Sequence, residues 1–207
     1  MSQKLIDAMA DLNEDDVLGE VKAMIAGGTP KLDIIAALQA GMGIVGKRYE
    51  EKEYFLSELI MSAAIFEEAG KLLGPDASGG PSKYGTFLIG TIYQDVHDIG
   101  KNIVTAVLAS NGFDVVDIGV DVPTAKFLEA IRTHDPKVIG ISCLLTTCFA
   151  NVQECIKAID AAGLRAGRRI LVGGGPVDES AGKYMGADAV CKDAMAAVNY
   201  CKTFMVA

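Results

Sequence analysis

No stretch of this chain reaches the ~18 consecutive apolar residues of a membrane-spanning helix, although half of its 207 residues are hydrophobic. That much apolar content without a span predicts a sizeable buried core in one or two domains. Basic charge is scarce as well. Nineteen lysines and arginines face 27 acids, a net charge of −8, which argues against a sequence-independent nucleic-acid surface or an anionic-membrane surface. The expected partners are therefore proteins and small molecules, with no nucleic acid and no membrane. Near the start the chain is amphipathic and carries acids, Asp7 and Asp11, where a secretory leader would be basic. A cytoplasmic location is the expectation. The five cysteines (Cys143, Cys148, Cys155, Cys191, Cys201) are an odd number with no Cys-x-x-Cys pair, which indicates neither a disulfide framework nor a structural zinc site. They read as buried small hydrophobes in a reducing compartment.

What is present divides into two patterns. Residues 3 to 73 have helical periodicity only. Leu5, Ile6 and Met9 start a first helix; Asn13 before Glu14, Asp15 and Asp16 looks like an N-cap with an acidic first turn, and Gly27-Gly28 closes that second helix. Thr29-Pro30 opens a third, with proline at its first position and Leu32, Ile35, Leu38, Met42, Val45 and Tyr49 along one side. A fourth runs from about Phe55 to Leu73. Four short-looped helices with apolar faces predict a small bundle.

Inside the third helix, Gly41-Met42-Gly43-Ile44-Val45-Gly46 matches the dinucleotide-binding Gly-x-Gly-x-x-Gly pattern letter for letter. The match is discounted, because the fingerprint needs a strand before it and an acidic residue after it in a strand-helix-strand unit, whereas the surroundings here are helical. Three glycines weaken a helix by ~1 kcal/mol each relative to alanine. Close backbone packing is the inferred reason for them.

Residues 74–82 (GPDASGGPS) have the composition of a linker, and the hydrophobic period changes directly after them. Strand-like runs at 85–93, 113–118, 138–142, 169–172 and 189–190 then alternate with helical patterns near 101–110, 123–134, 151–162, 177–185 and 193–202. The predicted fold class is α/β: an N-terminal four-helix bundle followed by a doubly wound, flavodoxin-like five-stranded parallel sheet of order 2-1-3-4-5.

Three polar or glycine-rich loops follow strands one, three and four of that sheet. They are Asp95-Val96-His97-Asp98-Ile99-Gly100, Ser142-Cys143-Leu144-Leu145-Thr146-Thr147, and Gly173-Gly174-Gly175-Pro176. In the order 2-1-3-4-5 these strands are neighbours, so the loops converge on the crevice where open α/β sheets bind ligands. Each loop alone has an ordinary reading: His97 as a helix-start residue bonded to backbone, Ser142 to Thr147 as polar caps, and the glycines as a tight turn. His134, at a helix end before Pro136, reads as a residue that caps carbonyls.

With these motifs the chain resembles the cobalamin-binding modules of methionine synthase and of corrinoid methyl-carrier proteins, whose signature is Asp-x-His-x-x-Gly, Ser-x-Leu and Gly-Gly at set distances. Here 41 residues separate Gly100 from Ser142 and 28 separate Leu144 from Gly173, the spacings of that signature. The segment GMGIVGKRYEEKEYFLSEL, from Gly41 to Leu59, is similar to the helical cap of the same family, so the resemblance covers the whole chain. It implies a cap domain at residues 1–73, a linker at 74–82 and a cobalamin-binding domain at 83–207.

The resemblance further implies base-off cobalamin with His97 as the lower axial ligand of cobalt, imidazole being a good ligand for that metal. Asp95 would accept a hydrogen bond from the other ring nitrogen, and Ser142 would extend the network. Gly100, Gly173 and Gly174 would give the nucleotide tail close backbone approach, with Ser142, Leu144 and Thr146 lining its slot and Asp98 and Ile99 completing the histidine loop. Tyr49 and Leu56 match cap positions that cover the cobalt; their other reading is ordinary helix core.

By resemblance the function is that of a non-autonomous methyl carrier, not an enzyme in its own right. It would cycle between methylcobalamin and cob(I)alamin and shuttle a methyl group from a substrate-specific methyltransferase to a second methyltransferase with a tetrahydrofolate or thiol acceptor, with a reductive activator as a further partner. O-demethylation and methylamine or betaine demethylation are the processes it suggests. A cobalamin-binding subunit of an adenosylcobalamin-dependent mutase and a cobalamin-dependent regulatory module are the alternatives that share the signature. Nucleotide or flavin binding remains open for the sheet alone.

Overall fold

The computed structural model describes residues 2–74 and 84–205. Of the linker expected at 74–82, residues 75–82 lie outside the described residues. The chain divides into two compact units, Met1–Lys83 with Ala109–Gly112 and Tyr84–Leu108 with Phe113–Ala207, each described here by itself.

The first unit is built from α1 (Gln3–Ala10), α2 (Glu14–Ala26), α3 (Lys31–Glu50) and α4 (Leu56–Leu73). Their ends follow local chemistry. The Ser2 hydroxyl accepts from the Leu5 amide at 3.3 Å and the Asn13 side chain accepts from the Asp16 amide at 3.4 Å, each satisfying an N–H that the first turn leaves without a helical partner. Gly28, at φ 76°, takes the left-handed turn after α2 that other residues adopt at a cost. Pro30 caps α3 instead of standing inside it, a one-residue difference of the kind expected at helix ends.

The buried face unites Leu5 and Met9 of α1, Val17 and Val21 of α2, Ile34, Leu38 and Met42 of α3, and Ile65, Ala69 and Leu73 of α4. Leu32, expected on the buried side of α3, is 55% exposed, and Ile34 takes the core position. Gly41 explains part of the glycine pattern. A Cβ there would stand 2.5 Å from the Met9 Cβ and 2.9 Å from the Ile6 carbonyl oxygen, so α1 and α3 cross at backbone distance. Gly43 has nothing within 4 Å of the same position. The Gly-x-Gly-x-x-Gly string thus lies wholly inside a helix.

In the second unit, β1 (Thr86–Thr91), β2 (Asp114–Asp117), β3 (Val138–Ser142), β4 (Arg169–Gly173) and β5 (Ala189–Val190) form one parallel sheet in the order β2-β1-β3-β4-β5. The helices that follow them are α5 (Ile99–Ser110), α6 (Thr124–His134), α7 (Phe149–Ala161), α8 (Glu179–Met185) and α9 (Ala194–Met205). This is the doubly wound, flavodoxin-like arrangement that the alternating pattern predicts. The three central strands are apolar along nearly their whole length because a parallel sheet is covered on both faces. One face buries Leu88, Ile139, Ile141, Ile170 and Val172 against Phe127 and Ile131 of α6 and Val152, Ile156 and Ile159 of α7.

Two boundaries differ from the sequence expectation for clear reasons. β1 stops at Thr91, since Ile92 leaves it to bridge Val122. A 3-10 turn at Thr146–Cys148 leads straight into α7, which starts at Phe149, two residues early. Register aligns Thr91 of β1 with Ser142 of β3, and Ser142 with Gly173 of β4, so the three carboxyl ends lie side by side. Four cysteines are buried, Cys191 is half-buried and all five are free thiols. Burial pushes Cys143, Cys155, Cys191 and Cys201 up to about 12. Among the described residues, no helix is long and apolar enough to cross a membrane.

The two α3 glycines give a paired test. Gly41→Ala should destabilise, because overpacking of about 1–3 kcal/mol outweighs a helix-propensity gain of about 1 kcal/mol. Gly43→Ala should stabilise by about that propensity gain, and urea titrations followed by helical circular dichroism measure both signs.

Candidate functional site

The three aligned strand ends deliver the three loops to one place. From β1 the chain turns at Gln94, runs through Asp95, Val96 and His97 and enters α5 at Ile99. Asp95 is completely buried while the His97 side chain remains 48% exposed. The His97 Nδ1 lies 2.6 Å from Asp95 Oδ1, which also accepts from the His97 amide at 3.1 Å. Asp95 Oδ2 reaches the β3 loop, accepting from the amides of Leu144 at 2.6 Å and Leu145 at 3.2 Å.

Burial by itself would raise the Asp95 pKa. The hydrogen bonds from the His97 ring and from the Leu144, His97 and Leu145 amides outweigh that and hold it below the ordinary carboxylate value. A buried carboxylate bonded in this way fixes both loops that it touches.

Thr91, buried at the end of β1, donates through its hydroxyl to the His97 carbonyl at 3.1 Å. Asp98 accepts the Asn102 amide at 2.8 Å in the first turn of α5. Beside it, the buried Lys101 ammonium bonds Asp117, at the end of β2, and the Asn102 side-chain oxygen at 2.7 Å. The start of α5 is thereby anchored at the sheet edge.

Gly173 ends β4, and its carbonyl accepts from the Cys143 amide at 2.9 Å. Gly174, at φ 145°, admits no side chain: its Cβ would lie 1.9 Å from the Cys143 carbonyl oxygen. Here the requirement for glycine comes from the chain's own backbone. Gly100 is different, with nothing within 4 Å of the place a Cβ would take, so the first turn of α5 leaves an open face beside His97.

Asp95, His97, Leu144, Ser142, Gly173 and Gly174 are therefore gathered around one set of strand ends. Asp98 stands just before α5, Ile99 and Gly100 open it, and Thr146 opens the 3-10 turn, exposed. Among the described residues, no hydrogen bond joins the Ser142 hydroxyl to Asp95. Two backbone amides take that role, and an amide leaves no mark in a sequence. Thr91 was also missed, although a hydroxyl closing an apolar strand next to a histidine loop was a usable signal. Tyr49 and Leu56 belong to the helical unit, Tyr49 in the last turn of α3 and Leu56, 47% exposed, at the first position of α4. His134 is exposed in the last turn of α6 and caps no carbonyl among the described residues.

With Nδ1 engaged by Asp95, the His97 Nε2 is left without a hydrogen-bond partner among the described residues. On the same loop and the first turn after it, Val96 and Ile99 (76%) are exposed apolar side chains, as are Leu144 and Leu145 on the β3 loop. No cluster of three or more His, Cys, Asp or Glu that could hold a bare metal ion occurs among the described residues. One oriented imidazole, on loops that expose apolar side chains, suits a metal that arrives inside a large, mostly apolar ligand.

Comparison with known proteins decides the family. A B12 binding domain model matches residues 85–199, and a second model with the same description matches residues 1–73. The chain belongs to the B12-binding family, and its cofactor is cobalamin. It is 36% identical over 204 residues to dimethylamine corrinoid protein 3 of Methanosarcina acetivorans, covering 98% of this chain and 96% of that protein. Among solved structures it is similar to a novel cobalamin-binding protein from Desulfitobacterium hafniense, with 32% identity, a TM-score of 0.80 and 97% and 96% of the two chains covered. It is also similar to a chain of the methanol:cobalamin methyltransferase complex MtaBC from Methanosarcina barkeri, with 31% identity, a TM-score of 0.85 and 98% and 78% covered.

The depressed Asp95 pKa has a signed consequence for stability. Its contribution is complete above the unfolded carboxylate pKa of ~4 and is lost as pH falls through the lower folded value. Asp95→Asn should therefore weaken cobalamin-free protein at pH 6, and the difference from the wild type should shrink as pH falls below ~4, as read by urea unfolding across that range.

Proposed function

We propose that this chain is a corrinoid methyl carrier: it binds cobalamin base-off with His97 on cobalt and presents it in turn to a methyltransferase that loads a methyl group and to another that removes it. The observation that carries the reading is the His97-Asp95 pair. It puts an oriented, half-exposed imidazole on one of three loops that leave neighbouring strand ends. Support for the carrier role comes from relatives described as corrinoid proteins and from the likeness to a chain of a complex described as a cobalamin methyltransferase.

When bound, cobalamin supplies a cobalt centre able to take up and give up a methyl group. The chain's part is to bind, orient and tune. Asp95 accepts from Nδ1 and so fixes the imidazole tautomer that leaves Nε2 free to ligate.

The remaining residues are assigned by place. Gly173, Gly174, Ser142, Leu144 and Thr146 would flank the nucleotide tail, with Gly100 opening the face of α5 and Asp98 and Ile99 completing the histidine loop. Tyr49 and Leu56 of the helical unit, whose residues 1–73 we assign as the cap domain, are allotted to the cofactor's methyl-bearing side. The methyl donor stays on a partner protein in this reading, so the chain alone should be catalytically silent. Methylated amines come first among donors to test, since a relative is named for dimethylamine; methanol and aryl methyl ethers are the comparison donors.

His97→Ala should lose the histidine-ligated absorption spectrum and keep measurable cobalamin binding. An unchanged cobalt coordination spectrum would refute the ligand assignment. The loaded wild type should gain a cobalt-bound methyl group from a methylamine only when a cognate methyltransferase is added; methylation without a partner would refute the carrier reading.

A further inference from the structure

The turn just before His97 is held by more bonds than a strand-to-helix connection requires. The Tyr93 carbonyl accepts from the Asn151 side chain at 3.0 Å, and the Gln94 amide donates to Asp121 Oδ1 at 2.7 Å. The Asp95 amide donates to the Ile92 carbonyl at 3.1 Å, and the Asp95 carbonyl accepts from the Asp121 amide at 2.9 Å. Asp121 lies in the loop between β2 and α6. It bonds this turn twice, once through its side chain and once through its backbone.

Both ends of that clasp are in left-handed backbone, Gln94 at φ 68° and Asp121 at φ 51°. L-residues avoid this region because Cβ crowds the carbonyl; Asp visits it more readily than most, and Gln has no such excuse. Two such residues bonded to each other persist only where the surroundings over-determine them, and they gather where a site is being preorganised. Both stand beside the isolated Ile92–Val122 bridge, beyond the last β1–β2 ladder pair of Ile89 with Asp117.

We propose that Asp121 is a positioning residue for the axial ligand, holding Gln94 and Asp95 in the conformation that presents the His97 ring. The inference rests on His97 being that ligand. Asp121 acts only through the turn: its contacts with it are the Gln94 amide and the Asp95 carbonyl, and none is to His97. A ligand on a loose loop binds its metal with affinity reduced by the fraction of loop conformers that present it correctly. By fixing the residues two and three places before the ring, the clasp keeps that fraction high each time His97 returns to the metal.

The test uses full-length protein loaded with cobalamin and reduced to cobalt(II), with electron paramagnetic resonance reading the nitrogen splitting from an axial histidine. Asp121→Ala removes the acceptor and disfavours the left-handed backbone. Asp121→Gly restores the backbone freedom but not the acceptor, and Asp121→Asn retains both. The histidine-off share should rise about fivefold in the Gly variant, the equivalent of one net hydrogen bond, and further in Ala. Asn should match the wild type, with cobalamin stoichiometry equal throughout.

Should Ala fail to fold, the Gly variant and hydrogen exchange at the Gln94 amide in cobalamin-free protein carry the same comparison. Equal histidine-on shares in wild type, Gly and Ala would overturn the inference, as would an Asn variant no better than Ala. A wild-type signal identical to that of His97→Ala would instead overturn the ligand reading, and the positioning role with it.

Discussion

A carboxylate with no exposed surface must be compensated from inside the protein, and Asp95 is compensated by an imidazole and three backbone amides. An uncompensated charge in that place would cost several kcal/mol. The geometry of the loops after β1 and β3 is therefore bound to one side chain. The β4 loop is tied to the β3 loop in turn, through the Gly173 carbonyl on the Cys143 amide and the fit of Gly174 beneath the Cys143 carbonyl. The sheet brings three strand ends together, and these contacts make three separate loops into one surface.

The sheet could be read from the sequence because its information lies in side chains. Apolar runs bounded by polar loops marked all five strands, and the 138–142 and 189–190 runs coincide with β3 and β5 to the residue. Where the backbone does the work, the sequence was silent. The resemblance pointed to Ser142 as a partner of Asp95, but the hydrogen bonds to the carboxylate from that loop come from the amides of Leu144 and Leu145. Asp121 and Asn151 have ordinary identities, and their importance comes from two left-handed turns that no periodicity reports.

The helical unit teaches a different lesson about motifs. Its three glycines spell a phosphate-binding fingerprint, yet Gly41 exists because Met9 and Ile6 lie where its side chain would be. A fingerprint holds chemistry only in the strand-turn-helix setting that aims its amides. Leu32 and Ile34 show the complementary limit. Helical spacing identifies a stripe, but in a small bundle packed by helices on more than one side, the neighbours decide which residue at the stripe's edge is buried.

In the proposed methyl-carrier role the raised thiol pKa values have a meaning. A thiolate is a far better methyl acceptor than a thiol, and this chain carries five sulfhydryls, with Cys143 one residue ahead of the loop amides that grip Asp95. Held near 12 by burial, Cys143, Cys155, Cys191 and Cys201 stay protonated at neutral pH. In that role the same apolar packing that stabilises the sheet would keep these four thiols inert toward the cargo, and would leave the methyl group to be claimed by an acceptor from outside.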